Sequence, residues 1–188
     1  IANPSCIRRT ISFCEAVFDK EVEVEGVIAK RADSLEEAFA IYEQGQIPVM
    51  IDENGSTIET LHPPVVVDAI LAKRNLGTKI TDAPAVIGVG PGFCAGKDVD
   101  AVIETQRGHN LGRVIYEGEA APNTGIPGMI AGYAKERVIH APVTGKLHIL
   151  KQIGEIVQAG DVIADIEGTP VKTVIGGVLR GMIREGYD

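Results

Sequence analysis

The sequence contains no tryptophan, and aromatic residues make up only 4% of the chain. Proteins that bind nucleic acids use aromatic side chains to stack on bases and clustered Lys and Arg to hold phosphates. Here 18 Lys and Arg stand against 26 Asp and Glu, which gives a formal net charge of −8. The composition therefore argues against a nucleic-acid partner.

Cysteine is equally scarce. Only Cys6, Cys14 and Cys94 occur, and none belongs to the C-x-x-C pair typical of zinc or redox sites. We therefore expect no disulfide framework, no metal site and a reducing, cytoplasmic location. Long apolar runs are also missing, because none reaches the ~20 residues that cross a bilayer. We expect no membrane association.

The residues that are present predict an α/β fold. Residues 34–44 carry a capping box, Ser34 with Glu37, and an apolar stripe, which together predict a helix that ends at Gly45. Residues 12–19 predict a shorter helix, and residues 21–31 a strand. The apolar runs at 47–51 and 64–70 are typical of strands buried on both faces of a parallel sheet. Residues 1–130 are accordingly predicted to form a Rossmann-like α/β domain.

A different texture follows. Residues 140–164 read as "AP-x-x-G", a tight turn and "V-x-x-GD-x-IA", and a weaker copy follows at 175–186. This pattern resembles half of the barrel-sandwich hybrid of biotinyl and lipoyl domains. Residues 131–188 are therefore predicted to form a small β module whose second half is incomplete. Pro170 stands near the position of the carrier lysine, and Lys172 falls in the next strand, so neither biotin nor lipoate is expected.

A glycine cluster follows the predicted strand that ends near residue 89. It consists of Gly88, Gly90, Gly92 and Gly96, and it fits neither the P-loop nor the G-x-G-x-x-G pattern. Loops of this kind let main-chain N–H groups approach a ligand, and the carboxyl ends of parallel strands are where α/β sheets bind ligands. Two interpretations stay open: a cradle for an anion, or a tight loop packed against a neighbouring segment.

Polar side chains crowd the next stretch. The candidates for ligand binding are Glu104, Thr105, Arg107, His109 and Asn110. Arg107 supplies a permanent charge for a phosphate or carboxylate, and Asn110 can both donate and accept hydrogen bonds. A connection with solvated polar groups is the alternative. If residues 86–89 and 102–103 are neighbouring strands, both loops reach one sheet edge, and Arg107, His109 and Asn110 line one anion pocket with Gly90 and Gly92.

The same segments carry a family resemblance. Val86-Ile-Gly-Val-Gly-Pro-Gly-Phe93, Ala72-Lys-Arg-Asn75 and above all Arg107-Gly-His-Asn-Leu-Gly112 resemble the YqeB family, accessory proteins of selenium-dependent molybdenum hydroxylase systems. Members of that family open with a strand and a dinucleotide-binding loop and close with a second Gly-Asp turn. This chain has neither, so we expect a missing first strand–loop–helix and disordered or cleaved ends.

The resemblance implies a maturation or supply role for a molybdenum enzyme and transfers no catalytic residue. The implied ligands are the molybdenum cofactor, its nucleotide form or NAD(P), and the implied partners are the hydroxylase or its other maturation factors. A homo-oligomer is left open. Two alternatives remain: an NAD(P)-binding oxidoreductase built on the α/β part, and a non-enzymatic, carrier-like docking module built on the β part.

Overall fold

The computed structural model describes residues 6–186. The chain folds into two units, and the second is inserted into the first. Unit one contains the chain up to Glu53 and from Met129 onwards, and unit two is Asn54–Gly128. The boundary at Gly128 lies close to the predicted division at 130, whereas the boundary at Glu53 was not predicted. Two independent domains, 1–130 and 131–188, stay a prediction, and the expected disordered or cleaved ends lie outside the described residues.

The first part of unit one combines short helices with a three-stranded sheet. Its elements are α1 (Ala16–Asp19), β1 (Glu21–Val24), β2 (Val27–Arg31), α2 (Leu35–Glu43) and β3 (Ile47–Val49), with 3₁₀ turns at Arg9–Ile11 and Phe13–Glu15. The sheet order is β1-β2-β3, with β1 antiparallel and β3 parallel to β2.

Two local predictions for this part had different outcomes. The predicted α2 is confirmed, because Ser34 Oγ accepts a hydrogen bond from Glu37 N at 3.2 Å and Glu37 Oε2 accepts one from Asp33 N at 2.8 Å. The single strand at 21–31 is wrong. Glu25 and Gly26 adopt positive φ angles of 52° and 82°, so the chain reverses there into a hairpin.

The second part of unit one is made of short strands. They are β10 (Leu147–Ile149), β11 (Ile156–Val157), β12 (Val162–Ile166), β13 (Thr169–Lys172) and β14 (Gly177–Val178), preceded by a 3₁₀ turn at Lys135–Arg137. The sheets are β10-β12-β13 and β11-β14, both antiparallel. Lys172 lies in β13, as predicted, and the hairpin tip is Glu167 and Gly168. Within residues 6–186 no sheet closes into a barrel.

Segments from opposite ends of the sequence meet in unit one. Met182 N donates to Ile7 O at 2.7 Å, and Arg9 Nε donates to Met182 O at 2.9 Å. Arg184 pairs with Asp19 and lies 3.5 Å from the buried Glu15 carboxylate. The last strands therefore complete a unit that begins before the inserted residues.

Unit two is organised around a four-stranded sheet. Its elements are α3 (Ser56–Leu61), β4 (Val65–Asp68), β5 (Ala85–Val89), β6 (Cys94–Ala95), β7 (Ala101–Ile103), β8 (Val114–Ile115) and β9 (Gly118–Glu119). The sheet order is β4-β5-β7-β8, in which the first three strands are parallel and β8 is antiparallel. A core of Val86, Phe93, Val99 and Val102 covers one face of it.

The opposite face of this sheet is uncovered. Val65 is 48% exposed and Val67 is 55% exposed, so the prediction that residues 64–70 are buried on both faces is wrong. An apolar run in the sequence shows that the side chains are aliphatic, but it does not show which segment packs against them. In unit two the only helix is α3, and none of its residues is buried.

The molecule is thus a mixed α/β structure with several sheets. The Rossmann-like layer and the barrel-sandwich hybrid remain predictions. In the described part of the chain, no helix is long and apolar enough to cross a membrane.

Candidate functional site

Three parallel strands of unit two end at one edge of the sheet, which we call the carboxyl edge. The register pairs Asp68 with Gly88 and Val89 with Ile103, so the pairing predicted for residues 86–89 and 102–103 is confirmed. Each strand runs into a loop at this edge. The predicted glycine cluster and the predicted polar stretch therefore begin side by side, as the site hypothesis requires.

The loops after β4, β5 and β7 approach one another closely. A Cβ added to Gly90 would lie 3.0 Å from Thr105 Oγ1 and 3.4 Å from a methyl group of Leu71. A Cβ added to Gly92 would lie 2.6 Å from both N and Cα of Arg74. Glycine is needed at both positions because the neighbouring loop occupies the space that a side chain would fill.

The remaining glycines of the cluster have simpler explanations. Gly88 faces the Phe93 ring, which would lie 2.6 Å from an added Cβ. Gly96 has open space around it but a φ of +83°, which L side chains rarely adopt. The N–H groups of Gly90 and Gly96 donate to Ile103 O and Val99 O. Close packing therefore accounts for Gly88 and Gly92. The N–H groups of Gly90 and Gly96 already have hydrogen-bond partners inside the protein.

Glu104 is buried at the first position after β7. The residue is 6% exposed. Its Oε1 accepts a hydrogen bond from Gln106 N at 2.7 Å, and its Oε2 accepts one from Ala121 N at 2.8 Å. The Ala121 and Gln106 N–H groups lower the pKa of the Glu104 carboxyl despite its burial. This carboxylate is thus ionised and holds two chain segments together, which accounts for its position at the edge.

Arg107, His109 and Asn110 lie in the exposed turn between β7 and β8. The Arg107 side chain lies beside Gly128, where an added Cβ would be 3.6 Å from its Cδ. Asn110 O accepts a hydrogen bond from Arg113 N at 2.9 Å. The structure thus brings Gly90 to Thr105, while a single pocket shared by Arg107, His109 and Asn110 with Gly90 and Gly92 stays a prediction.

A shallow pocket of about 430 Å³ lies beside this turn. Asn110, Arg113 and Tyr116 line it together with the carboxylates of Glu104, Glu117 and Glu119. Its charge is mixed, with three carboxylates against one guanidinium. It is therefore a weaker candidate for an anion than the carboxyl edge.

Sequence reasoning missed the loop that follows β4. Asp68 is buried there, accepts a hydrogen bond from Thr78 Oγ1 at 2.6 Å and caps Ile70 N at 3.1 Å. The Asn75 side chain bonds three main-chain groups of Gly77 and Thr78. The loop is therefore held by its own polar groups, and the Ala72-Lys-Arg-Asn75 motif was the available signal for it.

This loop carries two cations to the carboxyl edge. Lys73 adopts φ +62° and Leu71 φ +59°, a conformation that costs non-glycine residues about 1–2 kcal/mol each. Arg74 follows, with its main chain against Gly92. None of the ion pairs found among residues 6–186 includes Lys73, Arg74 or Arg107. Strained, locally braced segments with unneutralised cations are suited to holding an anion.

Metal chemistry has no comparable candidate. Across the described residues, no group of three or more His, Cys, Asp or Glu side chains is arranged to hold a metal ion. At the carboxyl edge, by contrast, the exposed cations Lys73 and Arg74 lie in the loop that contacts Gly92.

No protein-family model and no solved structure matches this chain. A curated protein of Escherichia coli (strain K12), named "Uncharacterized protein YqeB", is 50% identical to it over 186 residues. The match covers 99% of this chain and 34% of the relative, so the chain spans about a third of that protein's length. With one residue in two identical along nearly all of its length, the chain belongs to the YqeB family.

Proposed function

We propose that this chain binds an anionic ligand at the carboxyl edge of unit two, within an accessory protein of a selenium-dependent molybdenum hydroxylase. The ligand is the phosphate or pterin end of the molybdenum cofactor or of its nucleotide form, with NAD(P) as the alternative. The partner is the hydroxylase or another maturation factor, in the cytoplasm. The geometry of the carboxyl edge supports the anion site, and the family resemblance supports the accessory role.

The observation that carries the proposal is the contact between Gly92 and the Arg74 main chain. It places Lys73 and Arg74 beside the loop that follows β5, where open α/β sheets bind ligands. Both side chains are exposed. In a chain of net charge −8, cations without an ion-pair partner at that edge favour a ligand with phosphate or carboxylate groups.

The finer architecture belongs to the same proposal. We take β4, β5 and β7 as part of a Rossmann-like layer, supported by their parallel pairing and by the glycine loop after β5. We take β10–β14 as an open barrel-sandwich hybrid module, supported by the β12–β13 hairpin. The tip of that hairpin, Glu167 and Gly168, contains no lysine, which supports a docking role without biotin or lipoate.

Calorimetric titration of the purified chain tests the anion site. The probes are inorganic pyrophosphate, NADP⁺ and molybdenum cofactor released from a molybdoenzyme. Removing one charged hydrogen bond costs about 1.5–3 kcal/mol, so Arg74→Gln should weaken binding about 10- to 150-fold. Arg107→Ala should do the same if its turn joins the site.

Lys97→Gln is the matched control, because Lys97 is exposed in the same unit but precedes the amino end of β7. It should leave affinity within about twofold, with Tm unchanged in all three variants. Equal weakening by Lys97→Gln would indicate general charge attraction and contradict a defined site. Absence of binding by every probe would contradict the proposed function.

A further inference from the structure

The sheet of unit two has one covered and one open face. Side chains alternate between the two faces of a strand, and the core residues Val66, Val86, Val102 and Ile115 share the covered face. The intervening residues form what we call the open face, namely Val65, Val67, Ala85, Ile87, Val89, Ala101, Ile103 and Val114.

All eight of these side chains are aliphatic, and all except Ala101, which is 6% exposed, are at least partly exposed. Val65, Val67 and Val114 on the outer strands are 48%, 55% and 43% exposed. Ile87, Val89 and Ile103 on the central strands are half-buried. Soluble domains rarely leave a contiguous apolar surface of this kind uncovered, and parallel strands in particular are covered by helices on both faces.

We infer that, in the longer YqeB polypeptide, a helical segment outside the matched region packs against the open face. About two thirds of the E. coli relative lies outside the match, which leaves ample chain for such a segment. Four strands about 4.8 Å apart form a face roughly 15 Å wide, which two helices packed about 9 Å apart cover. The occupant is therefore a pair of amphipathic helices with Leu, Ile, Val or Ala facing the sheet.

A tethered occupant fits better than a second copy of this chain. A stable interface between separate molecules needs about 20–30 residues on each side, and the open face offers eight aliphatic side chains. A segment of the same polypeptide docks without the loss of translational and rotational freedom that association costs, so a small apolar face suffices.

Thiol labelling tests this assignment. Val67→Cys is made in this chain and at the aligned position of the full-length E. coli protein, and maleimide labelling is followed at each peptide by mass spectrometry. Glu117→Cys is the matched control, because Glu117 is exposed in the same unit but lies between β8 and β9, outside the open face.

We expect the thiol at position 67 to react at least about tenfold more slowly in the full-length protein than in this chain, as a packed position does. The thiol at position 117 should react at the same rate in both. Equal reaction at position 67 in both proteins would overturn the inference, as would equal protection of both positions. Protection in this chain alone that disappears on dilution would assign the face to a second copy and would also overturn it.

Discussion

Replacing Glu104 with Gln tests the role of the buried carboxylate at the carboxyl edge. The glutamine keeps the shape of the side chain and one acceptor oxygen, so one of the N–H groups of Gln106 and Ala121 keeps an acceptor. The other meets an NH₂ donor in place of an oxygen. Losing one charged hydrogen bond in a buried place costs about 1.5–3 kcal/mol of unfolding free energy at pH 7.

The effect should depend on pH with a defined sign. The pKa of Glu104 is lowered in the folded protein from a reference value of 4.5, first by the Ala121 N–H and then by the Gln106 N–H. A group with a lowered folded pKa stabilises the protein above its unfolded pKa and loses that contribution as the pH falls through its folded pKa. The stability difference between wild type and Glu104→Gln should therefore be full near pH 7 and shrink below about pH 4.5.

Urea unfolding at several pH values measures this difference, and amide hydrogen exchange locates it. The amides of Gln106 and Ala121 should exchange faster in the variant. Glu117→Gln is the control, because Glu117 is exposed in the same unit and should change stability by less than about 0.5 kcal/mol. A Glu104→Gln protein as stable as the control, or a difference that does not vary between pH 7 and pH 4, would refute the reasoning.

Three further substitutions or reactions check other contacts. Gly92→Ala places a Cβ 2.6 Å from the Arg74 main chain and should lower the free energy of unfolding in urea by about 2–5 kcal/mol. Gly96→Ala meets open space and should lower it only by the ~1–2 kcal/mol that a positive φ costs. Equal losses of stability in the two variants would contradict the packing argument. Ser34→Ala should remove about 1 kcal/mol of stability, and Ser34→Gly should cost only a few tenths; a neutral Ser34→Ala would remove the cap from the account of α2. Burial raises the pKa of the Cys14 thiol, so its iodoacetamide alkylation rate should reach half its maximum above pH 9.0, and fast labelling at pH 7 would contradict the burial.

Local features of this chain were predictable from the sequence. Helix α2 begins at a local cap in which Ser34 Oγ accepts from Glu37 N and the Glu37 carboxylate accepts from Asp33 N. The pairing of β5 with β7 follows from two apolar runs close in the sequence. Both depend on interactions within a short stretch, where periodicity and capping residues carry the information.

The features that were missed depend on distant segments. Glu104 was predicted among the ligand-binding residues, but the second partner of its carboxylate is Ala121, and nothing near residue 104 indicates where that segment returns. The hydrogen bond from Arg9 to Met182 likewise joins residues that are 173 positions apart in the sequence. Because the first unit is held together by such distant contacts, nothing in the sequence near Glu53 indicates the boundary there. The open face was missed because hydrophobicity reports a tendency to be buried and does not identify the covering segment.

The insertion of unit two into unit one has a consequence for synthesis. A ribosome releases residues 54–128 before the strands β10–β14 exist, so the inserted unit has all its residues available first. The segment that contains Arg9 must wait for Met182, and closing a loop of that length costs roughly 4–5 kcal/mol of chain entropy. Once unit two has folded, residues 54–128 no longer contribute flexible chain to that loop, which lowers the entropy cost of closing it. Folding of unit two during translation therefore makes the later pairing of Arg9 with Met182 less costly.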